Sequence, residues 1–182
     1  MKAVALWNPD KKSKYSFSLS KIKGYVLFTQ NDSTTVKVNI FIEGLPDGNH
    51  GIHIHEKGVS HVSDLTSADC CDKLGGHFNV EESWSLTEPN GTRHGKHTGD
   101  LCLNINSKNG IATHTYFDDK ISLDEEAENC ILERSVVIHE DEDDLGKGLY
   151  YDEEKNIQSM ISGNAGFRLA CAEIRLIRDP KF

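Results

Sequence analysis

Short apolar runs alternate with polar turns along the whole chain. The runs are rich in β-branched and aromatic residues, which favour strands. The turns between them, such as Asn31-Asp32 and Lys108-Asn109-Gly110, are rich in Asp, Asn and Gly, and helical periodicity is weak throughout. The pattern predicts about eight strands, at 3–7, 22–30, 34–43, around 53, 101–106, 111–117, 135–139 and 167–177.

This spacing of strands predicts an all-β fold, either an antiparallel sandwich or a barrel. Two stretches interrupt it, at about 56–99 and 140–164. Both are longer than structureless loops usually are in a compact domain, and loops of that length are often functional. Because most of the candidate ligands described below lie in or beside these stretches, we interpret both as functional loops.

Length and charge narrow the possibilities. A chain of 182 residues suits one domain, so we expect a single domain over 1–182. The net charge is −9, and the one basic cluster, 11–14, is short, so we expect neither nucleic acid nor a membrane as a partner. There is no apolar run of about 18 residues, and the N-terminus turns polar too early for a secretory leader. We therefore expect an intracellular, cytoplasmic protein.

Histidines supply the candidate chemistry. His53 and His55 alternate along a predicted strand, so both imidazoles lie on one face and can reach the same ion. The remaining candidates follow a Gly-Gly turn, end an apolar run, or crowd into seven residues. The full set has more ligands than one ion needs, and it comprises His53, His55, His77, His94, His97, Asp100 and His139. The sequence therefore predicts a metalloprotein.

These residues lie in six motifs that occur in the order seen in copper/zinc superoxide dismutases, and the resemblance covers nearly the whole chain. It implies a Greek-key, immunoglobulin-like β-sandwich or flattened eight-stranded barrel with two long functional loops. The motifs are Gly51-Ile-His53-Ile-His55-Glu56, Gly76-His77-Phe78-Asn79, His97-Thr-Gly-Asp100-Leu101, Val137-Ile-His139-Glu140, Asp143-Asp144-Leu145-Gly146-Lys147-Gly148 and Gly163-Asn164-Ala165-Gly166-Phe167-Arg168-Leu169-Ala170-Cys171.

The resemblance also implies two metal ions and their ligands. Imidazole suits both ions, and a set of three histidines and one aspartate suits zinc. His77 would be shared by the two ions, and Asp143 would connect a copper histidine to a zinc histidine. The implied copper ligands are His53, His55, His77 and His139, and the implied zinc ligands are His77, His94, His97 and Asp100.

His94 departs from the family pattern. It lies three residues before His97, whereas the family's middle zinc ligand lies about midway between its neighbours. If His94 could not reach the ion, three protein groups would bind zinc weakly or together with water. His50 corresponds to a structural histidine beside the copper strands. His61 and His114 match no ligand position.

The activity that the resemblance implies is an oxidoreductase reaction in antioxidant defence. Two superoxide anions and two protons become dioxygen and hydrogen peroxide as copper cycles between Cu(II) and Cu(I). His77 would deliver a proton, and Arg168 would position the anion, because a guanidinium stays charged and offers several donors. Related enzymes carry a lysine shortly before the Gly163 motif. This chain has Met160-Ile161-Ser162 there, so we expect weaker steering of the anion unless Lys155 substitutes.

Five cysteines are an odd number, and none forms a C-x-x-C pair, so at least one thiol is unpaired within the chain. The resemblance implies a disulfide between Cys71 and Cys171, and the alternative is two buried thiols. Cys70 is adjacent to Cys71 and could compete for Cys171. Cys102 and Cys130 are interpreted as small buried residues.

The implied partners are the superoxide anion, a second copy of the chain in a homodimer, and a copper chaperone. The positions matching the family's dimer face are polar here, namely Lys57, Glu133, Glu173 and Arg175, and opposite charges can pair across a two-fold axis. Three rival interpretations stay open at this point. They are a copper carrier, a zinc-stabilised interaction domain with a broken copper site, and a copper-only enzyme.

Overall fold

One antiparallel sheet of ten strands, with one α-helix, makes up the regular structure of the described residues in a computed structural model. The description covers residues 1–8, 13–18, 21–32, 34–63, 70–85, 87 and 91–178. The strands are β1 (Lys2–Trp7), β2 (Ser16–Ser18), β3 (Lys23–Gln30), β4 (Val36–Glu43), β5 (Gly48–His55), β6 (Leu103–Lys108), β7 (Ile111–Asp118), β8 (Ser135–His139), β9 (Arg168–Glu173) and β10 (Arg175–Leu176), and the helix is α1 (Glu153–Ser162).

The strand order shows that the sheet curls. It reads β10-β1-β3-β4-β7-β6-β5-β8-β9-β2, so β9 and β10 lie near opposite ends although only Ile174 separates them in the chain. The two ends of the sheet must therefore approach each other at Ile174, which is fully buried. The run β4-β7-β6-β5 has the Greek-key arrangement. The predicted all-β fold is confirmed.

Burial differs between the strands, and the difference locates the functional face. In β4 buried residues alternate with more exposed ones, as expected for a sheet with one solvated face. In β8 every residue is buried, as are the last six of β5. Ile52 and Ile54 of β5 point into the main core, so His53 and His55, which alternate with them, point to the other face. The two long loops cover that face.

The last strand and the second loop differ from the sequence prediction. The predicted strand 167–177 is divided at Ile174 into β9 and β10, and the predicted strand 101–106 begins only at Leu103. Helix α1 lies in the loop at 140–164 and was not predicted, because only Ser159 of the helix is buried. Its end signals are nevertheless in the sequence: Asp152 caps the Lys155 amide, and Gly163 ends the helix at φ 73°.

The described part of the first loop includes three short 3₁₀ turns, Val59–His61, Asp72–Leu74 and Thr98–Asp100. A small apolar cluster, which includes Val59, Leu74 and Val137, packs part of this loop on the outer face of the sheet. None of the helices that the structure describes has the length and apolar character needed to span a bilayer.

Candidate metal centre

Four imidazoles meet on the outer face of β5 and β8. His53 and His55 come from β5, and His139 is the last residue of β8. His77 is brought to them because its segment pairs with the end of β5, through the His55–His77 bridge and the Phe78 amide, which donates to the Ile54 carbonyl at 2.8 Å. One ring nitrogen of each histidine lies within 4.8 Å of those of the others, and all four residues are buried. We call this group the copper half.

Three of these histidines are oriented by a hydrogen bond on one ring nitrogen. His53 Nε2 lies 2.7 Å from Asp143, His55 Nδ1 lies 3.0 Å from the Gly75 carbonyl, and His139 Nδ1 lies 3.3 Å from the Gly166 carbonyl. The opposite nitrogens, His53 Nδ1, His55 Nε2 and His139 Nε2, are buried without a hydrogen bond to any described residue. Buried polar atoms rarely lack a partner, so these three nitrogens fit the ligand set of one metal ion.

A second group combines His77 with a short loop and forms the zinc half. His94, His97 and Asp100 come from this loop, which ends in the 3₁₀ turn Thr98–Asp100. Asp100 Oδ1 lies 2.8 Å from His77 Nδ1 and 3.3 Å from both His94 Nδ1 and His97 Nδ1. Asp100 Oδ2 accepts the amides of Gly95 and His97 at 2.6 and 2.8 Å. The carboxylate is therefore fixed by the backbone and presents its other oxygen to three imidazoles, a donor set that suits zinc.

His94 reaches this group despite its position close to His97. Gly95 has φ 89°, a conformation that glycine adopts without strain, and it allows the loop to fold back on itself. The His94 amide donates to the Met160 carbonyl of α1 at 2.9 Å. The structure therefore brings His94 to the zinc half, where the sequence pattern alone left its position open.

Two residues connect the halves. His77 belongs to both groups of four, and its ring lies 4.0 Å from that of His53 and 5.0 Å from that of His94, measured between centroids. Asp143 Oδ2 lies 2.7 Å from both His53 Nε2 and His94 Nε2. The backbone of Asp143 is itself held by the Asn104 side chain at 2.8 and 2.9 Å.

The pKa values of the histidines shift in opposite directions in the copper half and at His94. Burial, reinforced by neighbouring imidazoles, lowers the pKa of His53 and His55 well below the usual value, and it lowers the pKa of His139 to about 3. Burial would also lower the pKa of His94, but hydrogen bonds to Asp100 and Asp143 outweigh it and raise that pKa to about 9. The copper half thus holds neutral imidazoles, the form that binds metals, whereas the protonated form of His94 is favoured in the zinc half, between the Asp100 and Asp143 carboxylates.

A cleft of about 470 Å³ opens over the copper half. Arg168 lines it, and its guanidinium donates to the carbonyls of Cys71 at 2.7 Å and Gly75 at 2.9 Å. The Gly75 carbonyl also accepts from His55, so the same peptide group positions both side chains. Cys71 is joined to Cys171 of β9 by a disulfide with a Cα–Cα distance of 5.8 Å. The residue whose carbonyl accepts from Arg168 is therefore bonded covalently to the sheet. Cys71, and not Cys70, forms this bond.

Several contributors to the site were missed by sequence reasoning. The cleft has a wall from α1, formed by Gln158, Ile161 and Ser162. The Gly163 cap packs against Asp143 so closely that an added Cβ would lie 2.5 Å from its Oδ1. The sequence does not indicate which backbone carbonyls hold Arg168, because every residue has a carbonyl. The cap residues of α1, Asp152 and Gly163, could have been recognised in the sequence.

The other histidines, His50, His61 and His114, were expected not to bind metal. His50 bonds the His139 carbonyl at 2.9 Å and the Pro46 carbonyl at 3.0 Å, so it braces the end of β8. His114 is exposed on β7, and His61 is exposed in a 3₁₀ turn. Neither belongs to a potential metal group among the described residues.

A family model described as copper/zinc superoxide dismutase (SODC) matches residues 22–174 of the chain. The chain belongs to the copper/zinc superoxide dismutase family. It is therefore an oxidoreductase whose cofactors are copper and zinc, as the sequence led us to expect. The donor atoms of the two halves fit these ions.

Three of the relatives to which the chain is similar are named as superoxide dismutases. "Superoxide dismutase [Cu-Zn] A" of Xenopus laevis is 42% identical over 153 residues, covering 84% of this chain and 89% of that protein. "Extracellular superoxide dismutase [Cu-Zn]" of Drosophila melanogaster is 41% identical over 157 residues, covering 85% and 76%. "Superoxide dismutase [Cu-Zn]" of Paramecium bursaria Chlorella virus 1 is 38% identical over 165 residues, covering 87% and 75%.

Among solved structures, a crystal structure of "the clock protein EA4" is similar to this chain with a TM-score of 0.69 and 32% identity. The similarity covers 97% of this chain and 94% of that one. Since one relative is named extracellular, the intracellular type stays a prediction.

Proposed function

We propose that the protein converts two superoxide anions and two protons into dioxygen and hydrogen peroxide. The supporting observation is the pair of histidine groups that share His77, with unpaired nitrogens facing one another in the copper half. The proposed copper ligands are His53, His55, His77 and His139, and the proposed zinc ligands are His77, His94, His97 and Asp100. When bound, copper supplies one-electron oxidation and reduction, and zinc supplies a fixed positive charge.

In this proposal His77 is the proton donor to the reduced product. Its Nδ1 lies 2.8 Å from Asp100, so the nitrogen available to the copper half is Nε2. His77 also lines the cleft, where a small anion can reach it. A proton held at Nε2 can pass to the reduced product as it leaves the cleft, which is general acid catalysis by a positioned imidazole.

Arg168 is proposed to orient the anion. Two of its five N–H donors are used by the Cys71 and Gly75 carbonyls, which fixes the plane of the guanidinium and leaves further donors for a ligand. Arg168 is the one lysine or arginine among the described residues that line the cleft, so Lys155 could steer the anion only from outside the cleft. Asp143, in contact with one histidine of each half, is proposed to hold their orientation.

The positions of particular residues argue against the three rival interpretations, which are a copper-only enzyme, an interaction domain and a copper carrier. A copper-only enzyme would leave His94 outside the zinc half, but His94 Nδ1 lies 3.3 Å from Asp100. An interaction domain with a broken copper site would not bring four histidine nitrogens within 4.8 Å. A copper carrier has no need for an arginine at the cleft, and Arg168 lies there.

The test is the decay of superoxide after pulse radiolysis. Protein reconstituted with copper and zinc is compared with the variant His139→Ala, and His114→Ala serves as the matched control because His114 is exposed on β7. We expect fast, copper-dependent decay that His139→Ala abolishes and His114→Ala preserves. Absence of activity in protein that carries bound copper would refute the proposal.

We also propose a homodimer. A cleft of about 740 Å³ beside β10 is lined by residues of both charge signs, which include Glu125, Glu128, Glu133, Arg134 and Arg178, and a two-fold axis can pair such groups. Glu173 contributes little to this pairing, because it is buried and already bonds Arg175 at 2.8 Å within the chain. Sedimentation at micromolar concentration should give twice the chain mass, and a monomer would contradict the proposal.

Four predictions from the sequence remain predictions. They are delivery of copper by a chaperone, a role in antioxidant defence, a cytoplasmic location and a single domain over 1–182. A fusion to a fluorescent protein in the source cells tests the location. Copper content measured in cells without the chaperone tests the route of delivery.

A further inference from the structure

A group of three sulfur atoms lies outside the two histidine sites. The Sγ atoms of Cys70, Cys71 and Cys171 are all within 4.8 Å of one another, and all three residues are buried. Cys71 and Cys171 form the disulfide, while Cys70 lies outside it with its Sγ 3.9 Å from that of Cys71. Two adjacent cysteines therefore direct their side chains to the same point on β9.

The spacing of these sulfurs fits a metal ion. Sulfur atoms about 2.3 Å from a common ion lie roughly 3.8–4.0 Å apart in tetrahedral or trigonal arrangements. The Cys70–Cys71 distance already has this value. Once the disulfide is opened, Cys171 has only to adjust within the same small group.

The number of ligands indicates which soft ion fits. Thiolates bind both Cu(I) and zinc, but structural zinc takes four ligands, whereas this group supplies three sulfurs, which fits Cu(I). The three cysteines pack with apolar residues that include Val59, Leu74 and Val137, where uncompensated thiolates would be costly. Arg168, which donates to the Cys71 carbonyl at 2.7 Å, places a positive charge beside the group and offsets excess negative charge.

We propose that the disulfide-reduced protein binds one Cu(I) ion through the sulfurs of Cys70, Cys71 and Cys171. A dithiol reductant first donates two electrons and two protons, which cleaves the Cys71–Cys171 bond and converts the reductant to its own disulfide. The ion then binds as the thiols release protons. The disulfide and the ion are mutually exclusive, because both need the same two sulfur atoms.

This site is separate from the copper half. Cys171 is in register with Val137 of β8, and Val137 is in register with His53 of β5, so two strand spacings, roughly 10 Å, separate Cys171 from His53. Cu(I) bound by sulfur can therefore be counted in addition to an ion at the histidines. The inference depends on the cysteines alone and would survive failure of the proposed dismutase activity.

The test counts Cu(I) under anaerobic conditions by competition with a chromophoric Cu(I) chelator. Protein reduced with a dithiol and then desalted is compared with disulfide-intact protein, and copper X-ray absorption distinguishes sulfur from nitrogen ligands. We expect one additional, sulfur-bound equivalent in the reduced form. Equal copper counts in the two forms, or an additional ion with nitrogen ligands only, would overturn the proposal.

Cys70→Ser tests the third ligand, and Cys130→Ser is the matched control because Cys130 is a partly buried thiol outside the group. Loss of a supporting group alone weakens metal binding about 10–100-fold, so losing a ligand should weaken the additional site by at least about tenfold. Binding by Cys70→Ser as tight as that of wild type would refute a role for Cys70.

A measurement on the unaltered chain covers the case in which the variant does not fold. Bound Cu(I) should protect Cys70, Cys71 and Cys171 of the reduced protein from alkylation, as mapped by peptide mass spectrometry, and it should leave Cys130 as reactive as before. Equal alkylation of Cys70 with and without the ion would refute the site.

Discussion

Asp143 is the contact on which both metal halves depend, and Asp143→Asn tests it. Its Oδ2 lies 2.7 Å from His53 Nε2 and His94 Nε2, and its Oδ1 accepts the Leu145 amide at 2.7 Å. An asparagine has one acceptor where the aspartate has two, so in either orientation its NH₂ group faces a buried N–H donor. The substitution also removes the negative charge that helps to raise the pKa of His94.

The expected magnitude follows from these contacts. A buried donor without a partner costs about 1–3 kcal/mol, and loss of a carboxylate behind a metal-bound histidine weakens metal binding about 10–100-fold, or about 1.4–2.8 kcal/mol. We therefore expect the Kd for zinc to rise by that factor, measured by competition with a chromophoric chelator.

Glu142→Gln is the matched control for Asp143→Asn. Glu142 is the preceding carboxylate, but it is exposed and accepts a hydrogen bond from the Asn49 side chain at 3.0 Å, away from both metal halves. Its substitution should leave the Kd for zinc unchanged. Equal zinc affinity in both variants would refute the idea that Asp143 orients the zinc ligands.

Three further predictions concern glycine caps, acidity and salt. The variant Gly163→Ala should unfold at a lower denaturant concentration and bind zinc more weakly, because an added Cβ would lie 2.4 Å from His94 Nε2. Gly148→Ala is the control, because Gly148 also has a positive φ, 62°, but the atom nearest to its added Cβ is 3.5 Å away. The metal-free protein should lose stability as pH falls from 6.5 toward 3, because the pKa of His139 is lowered to about 3 and the unfolded chain takes up the proton first. Each such histidine contributes at most about 1.4 kcal/mol per pH unit. Equal urea midpoints at pH 6 and 5, below the range in which the raised pKa of His94 adds stability with falling pH, would contradict this. With Arg168 as the cleft's one Lys or Arg side chain among described residues, the superoxide rate should fall only shallowly with ionic strength in pulse radiolysis, and a steep fall would contradict weak steering.

Most strands were predictable because their signal is local, whereas the three-residue strand β2 has no buried residue and was not predicted. Alternation in β4 and the apolar run that ends at His139 follow from the need to bury one or both faces of a strand. Helix α1 was missed because it covers a loop rather than the core, so it lacks an apolar stripe. Its signals were the end residues Asp152 and Gly163.

The candidate ligands were predictable for another reason. Their identities are visible in the sequence, and the resemblance grouped them. Spacing along the chain could not decide whether His94 reaches the zinc half, because that depends on the positive φ of Gly95 and on the two amides that fix Asp100. The support of Arg168 by the Cys71 and Gly75 carbonyls could not be read either, since every residue has a carbonyl.

The most direct test of the account is to locate the two metals in crystals of the reconstituted protein by anomalous diffraction at the copper and zinc absorption edges. We predict a copper peak bounded by His53 Nδ1, His55 Nε2, His77 Nε2 and His139 Nε2, and a separate zinc peak bounded by His77, His94, His97 and Asp100. One peak in place of two, or a zinc peak that His94 does not contact, would contradict the account.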